Sequence, residues 1–144
     1  MLTVQIEITG PRATTEREAV IDTGLPGGLW LPKSVARKLG AILLPPEHPV
    51  RAVDGRVIPG FATVLTVRVP EADVEVETYV FCPNARTRET LLGSFFLSQV
   101  RAVLILGNTE LPFPRVRLQQ PNPPRGRLDI GEWVIPIRPV TPWW

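Results

Sequence analysis

Three stretches of this chain alternate apolar and polar residues with a period of two. In LTVQIEI the apolar set Leu2, Val4, Ile6 and Ile8 is interleaved with Thr3, Gln5 and Glu7, which predicts a strand with one face buried. Further on, Leu65, Val67 and Val69 alternate with Thr66 and Arg68. In DVEVETYVFC, Val74, Val76 and Val80 stand opposite Glu75, Glu77 and, in part, Thr78. Another strand is predicted over EREAVID up to Asp22, joined to the first as a hairpin by the Gly-Pro turn in TGPRATT.

Between these stretches the signals change. LPKSVARKLG opens on a proline, spaces Val35 and Leu39 four apart and ends at Gly40, the pattern of one short helix. Asp54-Gly55 in RAVDGRVIPGF is a hairpin-turn signal between extended residues, and Pro59-Gly60 loosens the outgoing strand. Leu91-Leu92-Gly93 reads as a buried strand ending at a glycine, followed by a short helix through Val100 that Ser94 is placed to cap. RAVLIL is one more buried strand, and AVIDTG and ETLLGS, both apolar runs that reach a glycine, resemble two halves of a pseudo-symmetric core.

The class that emerges is all-β. The 17 prolines and 11 glycines interrupt the chain too often for a helical bundle, and 144 residues suffice for one domain with a real core. That domain is expected over residues 1–110. Residues 111–144 read as a Pro-rich linker with little alternation outside Val116 and Leu118, then a Trp-rich extension. Trp133, Trp143 and Trp144 need an apolar surface to cover, on this chain or on another.

Composition removes several chemistries. Cys82 is the only cysteine and His48 the only histidine, so an intrachain disulfide and a soft-ligand zinc site are both excluded. The acids do not cluster, and no metal or other cofactor is expected. The N-terminus lacks the basic start and apolar run of a signal peptide, and no stretch is long enough to span a membrane. A cytoplasmic protein without a membrane partner is the expectation. Net charge is +2 and the basic residues are scattered along the sequence, so no nucleic-acid partner is expected either. GRVIPGF lacks the lysine and hydroxyl residue of a phosphate-binding loop, and no Gly-x-Ser-x-Gly occurs. His48 lies between prolines, and Cys82, before Pro83, reads as a strand-end residue rather than a nucleophile.

Asp22 remains. It follows Ala19-Val20-Ile21 directly, so a predicted strand carries its carboxylate to the edge of a core, where it must be paired, hydrated or used. Asp-Thr-Gly alone is an ordinary turn composition. Its combination with two later elements is more specific. AVIDTG at 19–24, RAVDGRVIPGF at 51–61 and LLGSFFLSQV at 91–100 stand in an order and spacing that resemble the retropepsin-like aspartic proteases, with LWLPKSVARKLG most similar to the small bacterial members.

The resemblance implies a closed β-barrel with one or two short helices, forming half of a two-fold dimer. It implies one catalytic aspartate per chain, Asp22, so that an aspartic endopeptidase needs a homodimer in which two carboxylates share a proton and activate water against a peptide or protein substrate. Thr23 and Gly24 would support the active-site loop, Thr23 across the two-fold axis and Gly24 by permitting close approach. Val53, Asp54, Gly55, Arg56, Val57 and Ile58 would form a flap closing over the peptide. Gly93 would let the next helix pack against the loop. Two departures stand out: Leu25 occupies a position where many relatives carry a small or hydroxyl residue, and the long C-terminus contains Pro136, Pro139 and Pro142, unsuited to a central dimer strand. The alternative is a peptide-binding or dimerisation module with the same fold and little hydrolysis.

Overall fold

The computed structural model describes residues 2–52, 54–105 and 115–118. Strands β1 (Thr3–Thr9) and β2 (Thr14–Ile21) form the expected antiparallel hairpin, registered from Thr3 opposite Val20 to Thr9 opposite Thr14. Val4, Ile6 and Ile8 face inward, as their alternation requires. The short β3 (Leu29–Trp30) leads into helix α1 (Lys33–Lys38), which starts after Pro32 and ends before Gly40, a glycine at φ +80°.

Strand β4 (Gly60–Val69) turns back through a single 3₁₀ turn, Pro70–Ala72, into β5 (Val74–Pro83), and the pair is in register from Gly60 opposite Pro83 to Val69 opposite Val74. The two-residue β6 (Leu91–Leu92) precedes α2 (Ser94–Gln99). The order β1-β2-β6-β3-β5-β4 closes on itself where β4 pairs with β1, with Ile8 opposite Val67. Two of the contacts are parallel: β2 with β6 and β3 with β5. The AVIDTG and ETLLGS segments therefore run side by side, with Val20 opposite Leu91 and Ile21 opposite Leu92. The fold is a closed, mostly β barrel with two short helices among the described residues. Its main core joins Ile6, Ile8, Leu29, Val67, Val80, Leu92 and Phe96.

Four expectations need correction. Thr78 does not side with the glutamates: it is 2% exposed, on the inward face shared by Val76 and Val80, because strand period rather than polarity sets its direction. Ser94 does not cap α2. Gly93 takes the cap position and no side chain bonds there, because the helix's free N–H groups already find carbonyl partners on a neighbouring loop. The strand at Leu29–Trp30 was not predicted. The proline-rich stretch also contains a strand, β8 (Arg115–Arg117), antiparallel to β7 (Val103–Ile105). Those three residues lie in a proline-free window between Pro114 and Pro121, where the backbone can still donate to a ladder. The expectations for the remainder of 111–144, including Trp133, Trp143 and Trp144, lie outside the described residues. Among the described residues no helix is long and apolar enough to cross a membrane.

Candidate active site

The strand β2 ends at Ile21, and Asp22 is the first residue past it. Its approach is fixed from both sides. The Val20 N–H donates to the Thr90 carbonyl at 2.8 Å, Ile21 to Leu2 at 2.9 Å and Asp22 to Leu92 at 2.9 Å. The chain then folds over its own carboxylate: the Gly24 N–H donates to Asp22 Oδ1 at 2.9 Å and the Leu25 N–H to the Asp22 carbonyl at 3.2 Å. This tight turn orients one carboxylate oxygen and leaves Oδ2 without a hydrogen bond among the described residues. Asp22, Thr23 and Gly24 are all half-buried.

Helix α2 holds the far side of the loop. The Ser94 N–H donates to the Leu25 carbonyl at 2.6 Å, Phe95 to Gly27 at 3.1 Å and Gly93 to Gly28 at 2.8 Å. A Cβ on Gly93 would run into the Gly27 carbonyl and would stand 2.5 Å from that of Leu25, so only glycine permits this approach. Leu25 is fully buried and anchors a second core with Trp30, Val50, Phe81 and Leu91, against which Val20 and Ile58 also pack. That cluster joins the Asp22 loop to the base of the hairpin at 50–58. Sequence reasoning noted Leu25 as a departure but missed this role, for which no local signal exists.

The hairpin follows its Asp-Gly signal. Arg51 bridges Val57, the Ile58 N–H donates to the Val50 carbonyl at 2.7 Å, and Gly55 sits at φ +88°. At the tip, Asp54 accepts the Arg56 N–H at 3.0 Å and the Arg56 Nε–H at 2.7 Å. The Arg56 backbone N–H, with its guanidinium, holds the Asp54 carboxyl below its ordinary value. Asp54, Gly55, Arg56 and Val57 are exposed, Ile58 is half-buried and Val53 lies outside the described residues.

Between loop and hairpin base lies a mostly apolar cavity of about 410 Å³. Its lining includes Pro26 and Gly27 of the loop, His48 and Val50, and Tyr79 and Phe81 of β5. His48 thus lies at a cleft wall. Cys82 is fully buried in the barrel, and burial pushes its thiol up to about 12, which the Lys33 charge only partly opposes. It is no nucleophile at neutral pH.

The closed barrel, the Asp22 loop packed against α2 and the hairpin at 50–58 make up a retropepsin-like aspartic protease fold. Among solved structures the chain is similar to "EIAV protease complexed with the inhibitor HBY-793", with a TM-score of 0.56 and 20% identity over 73% of this chain and 92% of that one. No family model matches the sequence, and neither does any curated protein.

Proposed function

We propose that this chain is a homodimeric aspartic endopeptidase, cytoplasmic, in which residues 1–110 form the catalytic domain and Asp22 from each of two copies supplies one half of the catalytic pair. The observation that carries the reading is the Asp22 carboxylate at the end of β2, with Oδ1 held by the Gly24 N–H and Oδ2 unbonded among the described residues, on a retropepsin-like barrel. A single such carboxylate is an unremarkable half-buried acid. Two brought together across an isologous contact cannot both ionise cheaply, so they share a proton. One then draws a proton from a bound water, which attacks the scissile carbonyl carbon, while the other donates its proton to the carbonyl oxygen. The pair titrates as a unit.

In this proposal Thr23 locks the two loops together and Gly24 permits their close approach. The hairpin of Val53 to Ile58 closes over an extended peptide and excludes water. Gly93 seats α2 against the loop and so positions Asp22 without touching substrate. The test is cleavage of an unbiased peptide library across acid to neutral pH by the wild-type chain and by Asp22→Ala. Cleavage that the substitution abolishes supports the reading; no cleavage by a folded, dimeric wild-type protein sinks it and leaves a peptide-binding module.

A further inference from the structure

The barrel topology gathers basic residues that are far apart in sequence. β3 and β5 run parallel, with Leu29 opposite Val80 and Trp30 opposite Phe81, so the segments that follow both strands leave at one end of the barrel. One is α1, bearing Lys33 and Arg37, and the other is the loop bearing Arg86 and Arg88. Together they enclose a cavity of about 620 Å³, within the ~300–1,000 Å³ span of ordinary ligand sites. Its lining contains these four cations and no carboxylate. None of the four enters an ion pair among the described residues. Four like charges facing one concavity repel each other and are unfavourable unless an anion or solvent ions screen them.

We propose that this cavity is a binding site for an acidic peptide segment, one presenting two or more carboxylates to Lys33, Arg37, Arg86 and Arg88. Arginine forks match carboxylates with paired hydrogen bonds, and Ser34, Asn84 and Thr87 add neutral polar groups to the lining. The cavity walls are anchored. The Asn84 N–H donates to the Pro59 carbonyl at 2.9 Å, at the foot of the hairpin, and the Arg88 carbonyl accepts from the Arg17 guanidinium at 3.1 Å. Lys33 Nζ stands 5.6 Å from the centre of the Phe61 ring, which keeps the ammonium on the β4 side. The site is a concavity rather than an extended basic track, and the chain's net charge is only +2, so a peptide fits it better than a nucleic-acid backbone.

The test uses the full chain carrying Asp22→Asn, so that the probe survives and binding is read apart from hydrolysis; its failure leaves the peptidase proposal standing, and the reverse also holds. A fluorescein-labelled hexaglutamate peptide is titrated by anisotropy at about 0.15 M salt, where the screening length is about 8 Å. Arg86→Glu with Arg88→Glu is expected to weaken binding about tenfold or more, and Arg37→Lys to weaken it less, since lysine keeps the charge and gives up the paired hydrogen bonds. The exposed Arg12→Glu, with the single-site charge change of either substitution but outside the cavity, is expected to change affinity less than about twofold. Losses as large in Arg12→Glu as in the cavity variants would reduce the effect to net charge and overturn the site. So would a single-stranded oligonucleotide of equal charge that outcompetes the peptide and depends on the same arginines. Unchanged thermal midpoints in all variants confirm that the exposed substitutions leave the fold intact.

Discussion

The Asp22 loop and the 50–58 hairpin each place an aspartate beside or near a glycine in a tight turn, yet they are held in opposite ways. Bonds to β6 and α2 tie down the loop: Asp22 to Leu92, Ser94 to Leu25, Phe95 to Gly27. Past its base the hairpin is held mainly by itself, through Ala52–Arg56 and Gly55–Ala52 backbone bonds and the exposed Asp54–Arg56 pair. Segments with few buried contacts and exposed bonds open at low cost, whereas segments tied into a core open only with it. On the proposed reading, a firmly held carboxylate and a hairpin that opens easily are what a peptide-cleaving site requires.

The largest expected difference is at Leu25 and Val57. Leu25 is fully buried where loop and hairpin base meet, so Leu25→Ala is expected to cost about 3 kcal/mol. Val57 is 53% exposed, and Val57→Ala is expected to cost under about 0.5 kcal/mol. Denaturant unfolding of both variants checks this. Comparable losses would mean that the hairpin tip is packed as firmly as the loop.

Two glycines sharpen the comparison on a smaller scale. Gly93→Ala forces a methyl group against the carbonyls of Leu25 and Gly27, and is expected to cost about 2–3 kcal/mol, a fall in melting temperature of roughly 4–12 °C. Gly55 has nothing within 4 Å of its would-be Cβ, so Gly55→Ala carries only the left-handed backbone penalty of about 1 kcal/mol. Glycine is required at one for space and at the other for φ. If Gly93→Ala lowers stability no more than Gly55→Ala, α2 does not bear on the loop as closely as the geometry states.

What the sequence made legible follows the same division. β1, β4 and β5 announced themselves because one face of each is buried and the other is wet. β3 is two residues long and buried at both, so it has no alternation to read. The Asp22 loop and the Asp-Gly hairpin were visible as local turn chemistry. Their connection was not, since Leu25 meets Val50 and Ile58 only after the barrel closes. Nor was the basic cavity, whose two halves are joined by a parallel strand pair and not by sequence.

The smallest expected effect is a pH response confined to the hairpin tip. The Arg56 N–H and guanidinium hold the Asp54 carboxyl below its ordinary value, and Asp54 is exposed. A carboxyl lowered in the folded state contributes its stabilisation above the unfolded value and loses it as pH falls through the folded one. Acidification below the ordinary carboxylate range should therefore loosen the tip while the barrel and the Asp22 loop stay folded. The Gly55 and Arg56 amide resonances are expected to shift together, with a midpoint below the ordinary aspartate value, and Asp54→Asn to remove that shift without moving the melting temperature. If the barrel's own amides move over the same interval, loop and hairpin are one cooperative unit, and the contrast between a firmly held loop and a loose hairpin does not hold.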